Sequence, residues 1–198
     1  MRLEELKIHV IELLTHKLNK QYSYHSLEHT LYVYEAANKI ADFEKVNDED
    51  REILLAAALL HDIGYIESHI NHEFASCKIA EAILTDFKFT EFEISRVKSL
   101  IMSTKVPQMP NNLMEQIICD ADLDYLGTDY FIKYGNELCK ELEYQGIISD
   151  QIQWNQLQVK FLSTHEYHTS YSKKYRTPKK LENLRLIMNI LQNTDKYH

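Results

Sequence analysis

Glycine and proline are scarce in this chain, 4 and 3 among 198 residues. So few backbone breakers leave little room for tight turns between short strands, and long helices are expected instead. Cysteine is rare too. Cys77, Cys119 and Cys139 form no CxxC pair, and their odd number argues against a disulfide framework. Each is expected to serve as a small core residue. Basic residues are outnumbered, with 22 Lys and Arg against 30 Asp and Glu and a formal net charge of -8. That balance speaks against broad contact with a nucleic-acid backbone, which needs a basic stripe. It leaves room for a small anion, because a bound divalent cation inverts the local field. No apolar run is long enough to span a membrane. Arg2-Leu3-Glu4-Glu5-Leu6 reads as an amphipathic helix rather than an apolar leader. A cytoplasmic protein is expected.

The rest of the composition, 44% hydrophobic and 26% charged, is that of a globular domain. The length suits a single domain over 1–198. Apolar residues recur at three- and four-residue spacing almost throughout, which predicts an all-α bundle. The first helix is expected over about Leu3 to Leu18 and the second from near Ser26. The third should follow Asn47, a good N-cap, and end at Gly64. Its segment Ile53 to Leu60 is apolar around most of its circumference and should be the central buried helix. A fourth is expected from His72 to Leu84. Thr90 and Glu93 form a capping-box pattern that opens the fifth. A sixth is expected from Asn112 to Leu126, stopping at Gly127. Thr128 and Ser149 are plausible caps for two more, and Thr177-Pro178 should open the last. Val106 to Asn111 and Ser163 to Arg176 read as irregular segments.

His9, His16 and His198 fall at surface-like or terminal positions and are read as solvated. His61-Asp62 is different, because it ends the most apolar helix in the chain. A buried His beside a buried Asp is costly unless both are satisfied, and a metal satisfies both at once. The bland alternative is a core histidine next to an aspartate that caps the following turn. Upstream, His25 and His29 stand four residues apart, so a helix that includes both presents them on one face. Downstream, Asp120, Asp122 and Asp124 interrupt an apolar segment. Acids two apart cannot share a helix face, so at least one should point inward.

Taken together these blocks resemble the HD superfamily of metal-dependent phosphohydrolases. Tyr24-His25-Ser26-Leu27-Glu28-His29 is similar to its YHNLxH opening, and Leu60-His61-Asp62-Ile63-Gly64-Tyr65 to its FHDxxY block. Asn71-His72-Glu73-Phe74-Ala75-Ser76 is similar to an NEExSA block, and Asp120 through Gly127 to DADLxxLG. The resemblance implies an HD-domain helical bundle around a central metal held by His29, His61, Asp62 and Asp122. It implies a divalent cofactor, with Mn, Fe, Co, Ni or Zn expected ahead of Mg. It also implies a small phosphorylated substrate, such as a nucleotide, hydrolysed by metal-activated water.

By likeness to the cyclic-nucleotide phosphodiesterases, His25 is assigned as general acid; a histidine that merely supports the ligands is the alternative. Glu73 is the second catalytic candidate. His72 stands where the family block has Asn, which puts it in doubt as a ligand. Lys105 and Arg176 are the candidate substrate-binding cations, against the alternatives of a solvated lysine and a packed connection. An HD-fold di-iron oxygenase and a non-catalytic metal-stabilised module are the competing functions. A homodimer is left open.

Overall fold

The computed structural model describes residues 2–194, so His198 lies outside the described residues. Among these there is no strand. The helices are α1 (Arg2–Lys17), α2 (Leu27–Phe43), α3 (Asp48–Leu60), α4 (His72–Asp86), α5 (Glu91–Ser103), α6 (Leu113–Asp122), α7 (Phe131–Tyr144), α8 (Gln151–Thr164), α9 (Ser170–Tyr175) and α10 (Thr177–Thr194). The all-α expectation is met. No helix of the described residues is long and apolar enough to cross a membrane. The chain divides into two compact units, residues 1–122 and 123–198.

The first unit is built around α3. Asn47 accepts a hydrogen bond from the Asp50 amide at 2.9 Å, and three acids in the first turn favour the positive end of the helix. Every residue from Ile53 to Leu60 is buried, and α3 packs against α1, α2, α4, α5 and α6. Each fully buried Leu or Ile contributes about 1.5–3 kcal/mol. Ala56, Ala57 and Ala58 let the neighbouring helices approach closely. This anchoring fixes His61 and Asp62, which immediately follow the helix.

Several boundaries differ from the sequence expectation. Helix α3 ends at Leu60, and Gly64 lies in a 3-10 turn, Ile63–Ile66. Gly64 is needed there for close approach: a Cβ would stand 2.1 Å from the His72 carbonyl oxygen and 2.7 Å from the Ser76 amide nitrogen. The Gly64 amide donates to Ser76 Oγ at 2.8 Å, which joins the turn to α4. Helix α6 stops at Asp122 rather than Leu126, and a second 3-10 turn covers Asp124–Gly127. His9 is half-buried against the Phe87 ring, with centroids 5.5 Å apart, whereas His16 is exposed.

In the second unit Asp150, not Ser149, caps α8 by accepting from the Gln153 amide at 2.9 Å. Tyr130 stands at the N-cap position of α7. Thr128 Oγ1 accepts from the Tyr130 amide at 3.2 Å instead. The segment expected to be irregular holds the short helix α9, capped by Thr169. It is tied to the turn around Asp124. Tyr167 donates its hydroxyl to the Leu123 carbonyl at 3.0 Å, and Arg176 Nε donates to Asp124 Oδ1 at 2.6 Å.

Arg2 links three helices of the first unit. Its guanidinium donates to both oxygens of Glu52 on α3 at 2.8 and 2.7 Å, and to Glu93 on α5 at 2.6 Å. Glu93 also closes the capping box of α5 with Thr90. The hydrogen bond from Arg2 holds the Glu93 carboxyl down at about 2, against an ordinary 4.5. A depressed carboxylate stabilises the fold above its unfolded value, and that contribution fades as pH falls toward its folded value. With these side chains 24–30% exposed, screening limits the effect to about 1 kcal/mol. Urea unfolding of Arg2→Ala should therefore show a deficit of that size near neutral pH that shrinks between pH 4.5 and about 2. A deficit independent of pH would contradict the assignment.

Candidate metal centre

Four polar side chains converge inside the first unit from three helix ends. His29 lies in the first turn of α2, where its amide donates to the N-cap Ser26 Oγ at 3.3 Å. His61 and Asp62 follow α3, and Asp122 is the last residue of α6. His29 and His61 are 1% and 0% exposed and Asp62 is 6% exposed. Both carboxylates sit at helix C-termini, the end where the macrodipole disfavours negative charge. They call for a cation.

The donor atoms face one another. His29 Nε2 is 3.2 Å from Asp122 Oδ1 and 3.5 Å from Asp62 Oδ2. His61 Nε2 is 3.0 Å from Asp62 Oδ2 and 3.6 Å from Asp122 Oδ1. One donor atom each from His29, His61 and Asp122 lies within 4.8 Å of the other two. Ligand bonds of about 2.1 Å separate neighbouring donors by about 3.0–3.4 Å, so the spacings among His29, His61 and Asp122 suit a shared ion, whereas Asp62 approaches the two imidazoles but stands outside that group of three.

The hydrogen-bond pattern supports the same fit. His61 Nδ1 donates to the Ala58 carbonyl at 2.9 Å, which leaves Nε2 as the nitrogen facing the carboxylates. Yet His61 Nε2 and Asp62 Oδ2, buried and 3.0 Å apart, have no hydrogen-bond partner, because they are close without being aligned. Burial disfavours the charged imidazole, but Asp62 and Asp122 outweigh it and hold His61 well above its ordinary pKa. Burial likewise opposes ionised Asp62, and His61 outweighs it, so Asp62 lies well below the usual carboxylate range. Asp122, against its own burial and through His29 and His61, is held at about 2. A divalent cation held here would compensate the two carboxylates directly.

His25 lies near but outside this set. It precedes the Ser26 cap and is not on α2, so a shared helix face does not bring it close. Its ring is 6.1 Å from that of His29. Tyr65, from the turn after Asp62, stacks on His25 at 4.0 Å, with its hydroxyl 3.0 Å from His25 Nε2. Glu73 is buried in the first turn of α4. His72, doubted from the sequence, joins the site: its Nε2 is 3.4 Å from Asp62 Oδ1 and 3.7 Å from Glu73 Oε1. Lys105 is exposed and donates to Asn71 Oδ1 at 3.4 Å. Arg176 belongs to the second unit, where Asp124 pairs with it. Asp120 and Asp124 are both buried. Gln108, which sequence reasoning did not single out, reaches Asp122. Its place in the two-proline loop was the available signal, since loops often carry function.

Comparison with known proteins identifies the family. The family model for the HD domain matches residues 26–124. An uncharacterized protein from Clostridium beijerinckii is 30% identical over 107 residues, 52% of this chain and 66% of that protein, a little under two thirds of its length. The crystal structure of a predicted HD superfamily hydrolase from an uncultured Thermotogales bacterium matches with a TM-score of 0.63 at 20% identity, covering 96% of this chain and 92% of that one. At that identity the likeness is one of fold.

Two outcomes follow. Purified protein should carry about one transition metal ion per chain, and His61→Ala and Asp122→Ala should lower its affinity at least about tenfold. Unchanged metal content by elemental analysis in both variants would remove the site. Gly64→Ala should destabilise the fold by about 1–3 kcal/mol, because the new methyl meets backbone rather than a yielding side chain. Wild-type stability in that variant would show that the turn before α4 can shift.

Proposed function

The chain belongs to the HD domain family, and from that membership we propose that it is a metal-dependent phosphohydrolase acting on a nucleotide or another small phosphoester. The observation that carries the reading is the cluster of buried His29, His61 and Asp62 with half-buried Asp122, two of whose facing atoms have no hydrogen-bond partner. A divalent ion held there lowers the pKa of a bound water and polarises a phosphoryl oxygen.

The protein's own groups take the remaining roles. His25 stands beside the ligands without joining them, its ring 6.1 Å from that of His29, and would hand a proton to the leaving oxygen. Tyr65 holds its ring in place. Glu73 orients water or substrate from the start of α4. Lys105, exposed on the loop after α5, receives the negative phosphoryl group. Arg176 is already engaged through Nε by buried Asp124, so Lys105 is the stronger candidate. The net charge of -8 fits a small substrate better than extended nucleic acid.

One observation favours a second reading. Asp62 presents Oδ2 to His29 and His61 but Oδ1 to His72. A second ion held by Asp62 and His72 would give a dinuclear site, which the di-iron oxygenase alternative requires. Elemental analysis showing two irons per chain would favour it.

A panel of nucleotides and phosphomonoesters, assayed with Mn, Co, Ni, Fe, Zn and Mg, should reveal phosphate release with at least one member. His25→Ala should retain metal and lose about 100-fold or more in kcat. Inactivity across the whole panel in metal-loaded protein would favour a non-catalytic module.

A further inference from the structure

The residue that stands out beyond the family's blocks is Gln108, in the loop between α5 and α6. The two oxygens of Asp122 face different ways. Oδ1 points to His29 and His61, and Oδ2 lies 3.5 Å from Gln108 Nε2. The same Nε2 is 3.4 Å from the Thr104 carbonyl. Both partners are acceptors, so the amide nitrogen must face them, and its two hydrogens serve one each.

Asp122 needs such a hold. It is the last residue of α6, and its side chain is 16% exposed against 1%, 0% and 7% for those of His29, His61 and Asp62. His61 has the Ala58 carbonyl to fix it. The loop that carries Gln108 is itself secured at both ends. Buried Thr104 donates to the Ile101 carbonyl at 2.8 Å. Buried Glu115 accepts from the Asn111 amide at 2.7 Å and from Ser99 Oγ at 3.1 Å.

We infer that Gln108 is a positioning residue for the metal centre, steering Asp122 so that Oδ1 faces the two imidazoles while Oδ2 is held. This rests on the reading of the four residues as metal ligands. A neutral amide suits the task, because it supports the carboxylate without competing for the cation. Both of its contacts are long for hydrogen bonds. The effect is therefore one of direction, and its size is that of an outer-shell partner.

Co2+ titration of metal-free, full-length protein tests the role through affinity and the visible absorption band. Gln108→Met keeps length and apolar stem but removes the donor. It should weaken Co2+ binding by about tenfold and alter the band, with the melting temperature of the metal-free protein unchanged. Gln108→Ala provides the same test should Met disturb the loop. Gln108→Glu, which sets a carboxylate against Asp122, should weaken binding as well. Wild-type affinity and band in both Gln108→Met and Gln108→Ala would overturn the role. Tighter binding by Gln108→Glu would also overturn it, because position 108 would then supply a ligand. Failure of the unaltered protein to bind Co2+ would remove the metal centre and this role together, an outcome distinct from normal binding that Gln108 does not influence.

Discussion

Two carboxylates and two imidazoles meet at the ends of α2, α3 and α6, and they satisfy one another only in part: His29 Nε2 and Asp122 Oδ1 are hydrogen-bonded at 3.2 Å. His61 Nε2 and Asp62 Oδ2 approach to 3.0 Å without aligning. Burial of unpaired polar atoms is expensive, and both Asp62 and Asp122 sit where a helix dipole opposes them. A cation resolves each of these conflicts at once. The surrounding design follows from that constraint. The buried run Ile53 to Leu60 of α3 holds His61 and Asp62 in place, and Gly64 lets α4 come close enough to bring His72 and Glu73 beside them.

Most of this layout was legible in the sequence because it rests on local signals. The run Ile53 to Leu60 marks a buried helix, so the polar pair that follows it must have a partner. Asn47 and the Thr90–Glu93 box declare their helix starts through side chains that bond nearby amides. The His and Asp blocks resemble those of the HD superfamily, and the family match runs from residue 26 to 124.

What the sequence does not display depends on contacts between residues far apart in it. Gly64 looked like a helix terminator, but its small size is needed by a helix that begins eight residues later. Asp122 looked like a residue within a helix, and the helix in fact ends on it. His72 was doubted because its block elsewhere has Asn; only folding places its ring next to Asp62. His25 reached the site although the helix geometry invoked for it does not apply. Gln108 carried no pattern of its own, and its meaning comes from the loop that presents it. Arg176 was read as a cation for substrate, but its nearest obligation is to Asp124.

Anomalous diffraction from crystals of the Mn- or Co-loaded protein addresses the central claim most directly. A strong peak bounded by His29 Nε2, His61 Nε2 and one oxygen each from Asp62 and Asp122, at about 2.0–2.2 Å from each, is the expected result. A metal peak elsewhere, with these four side chains still facing one another across an ion-free space, would contradict it.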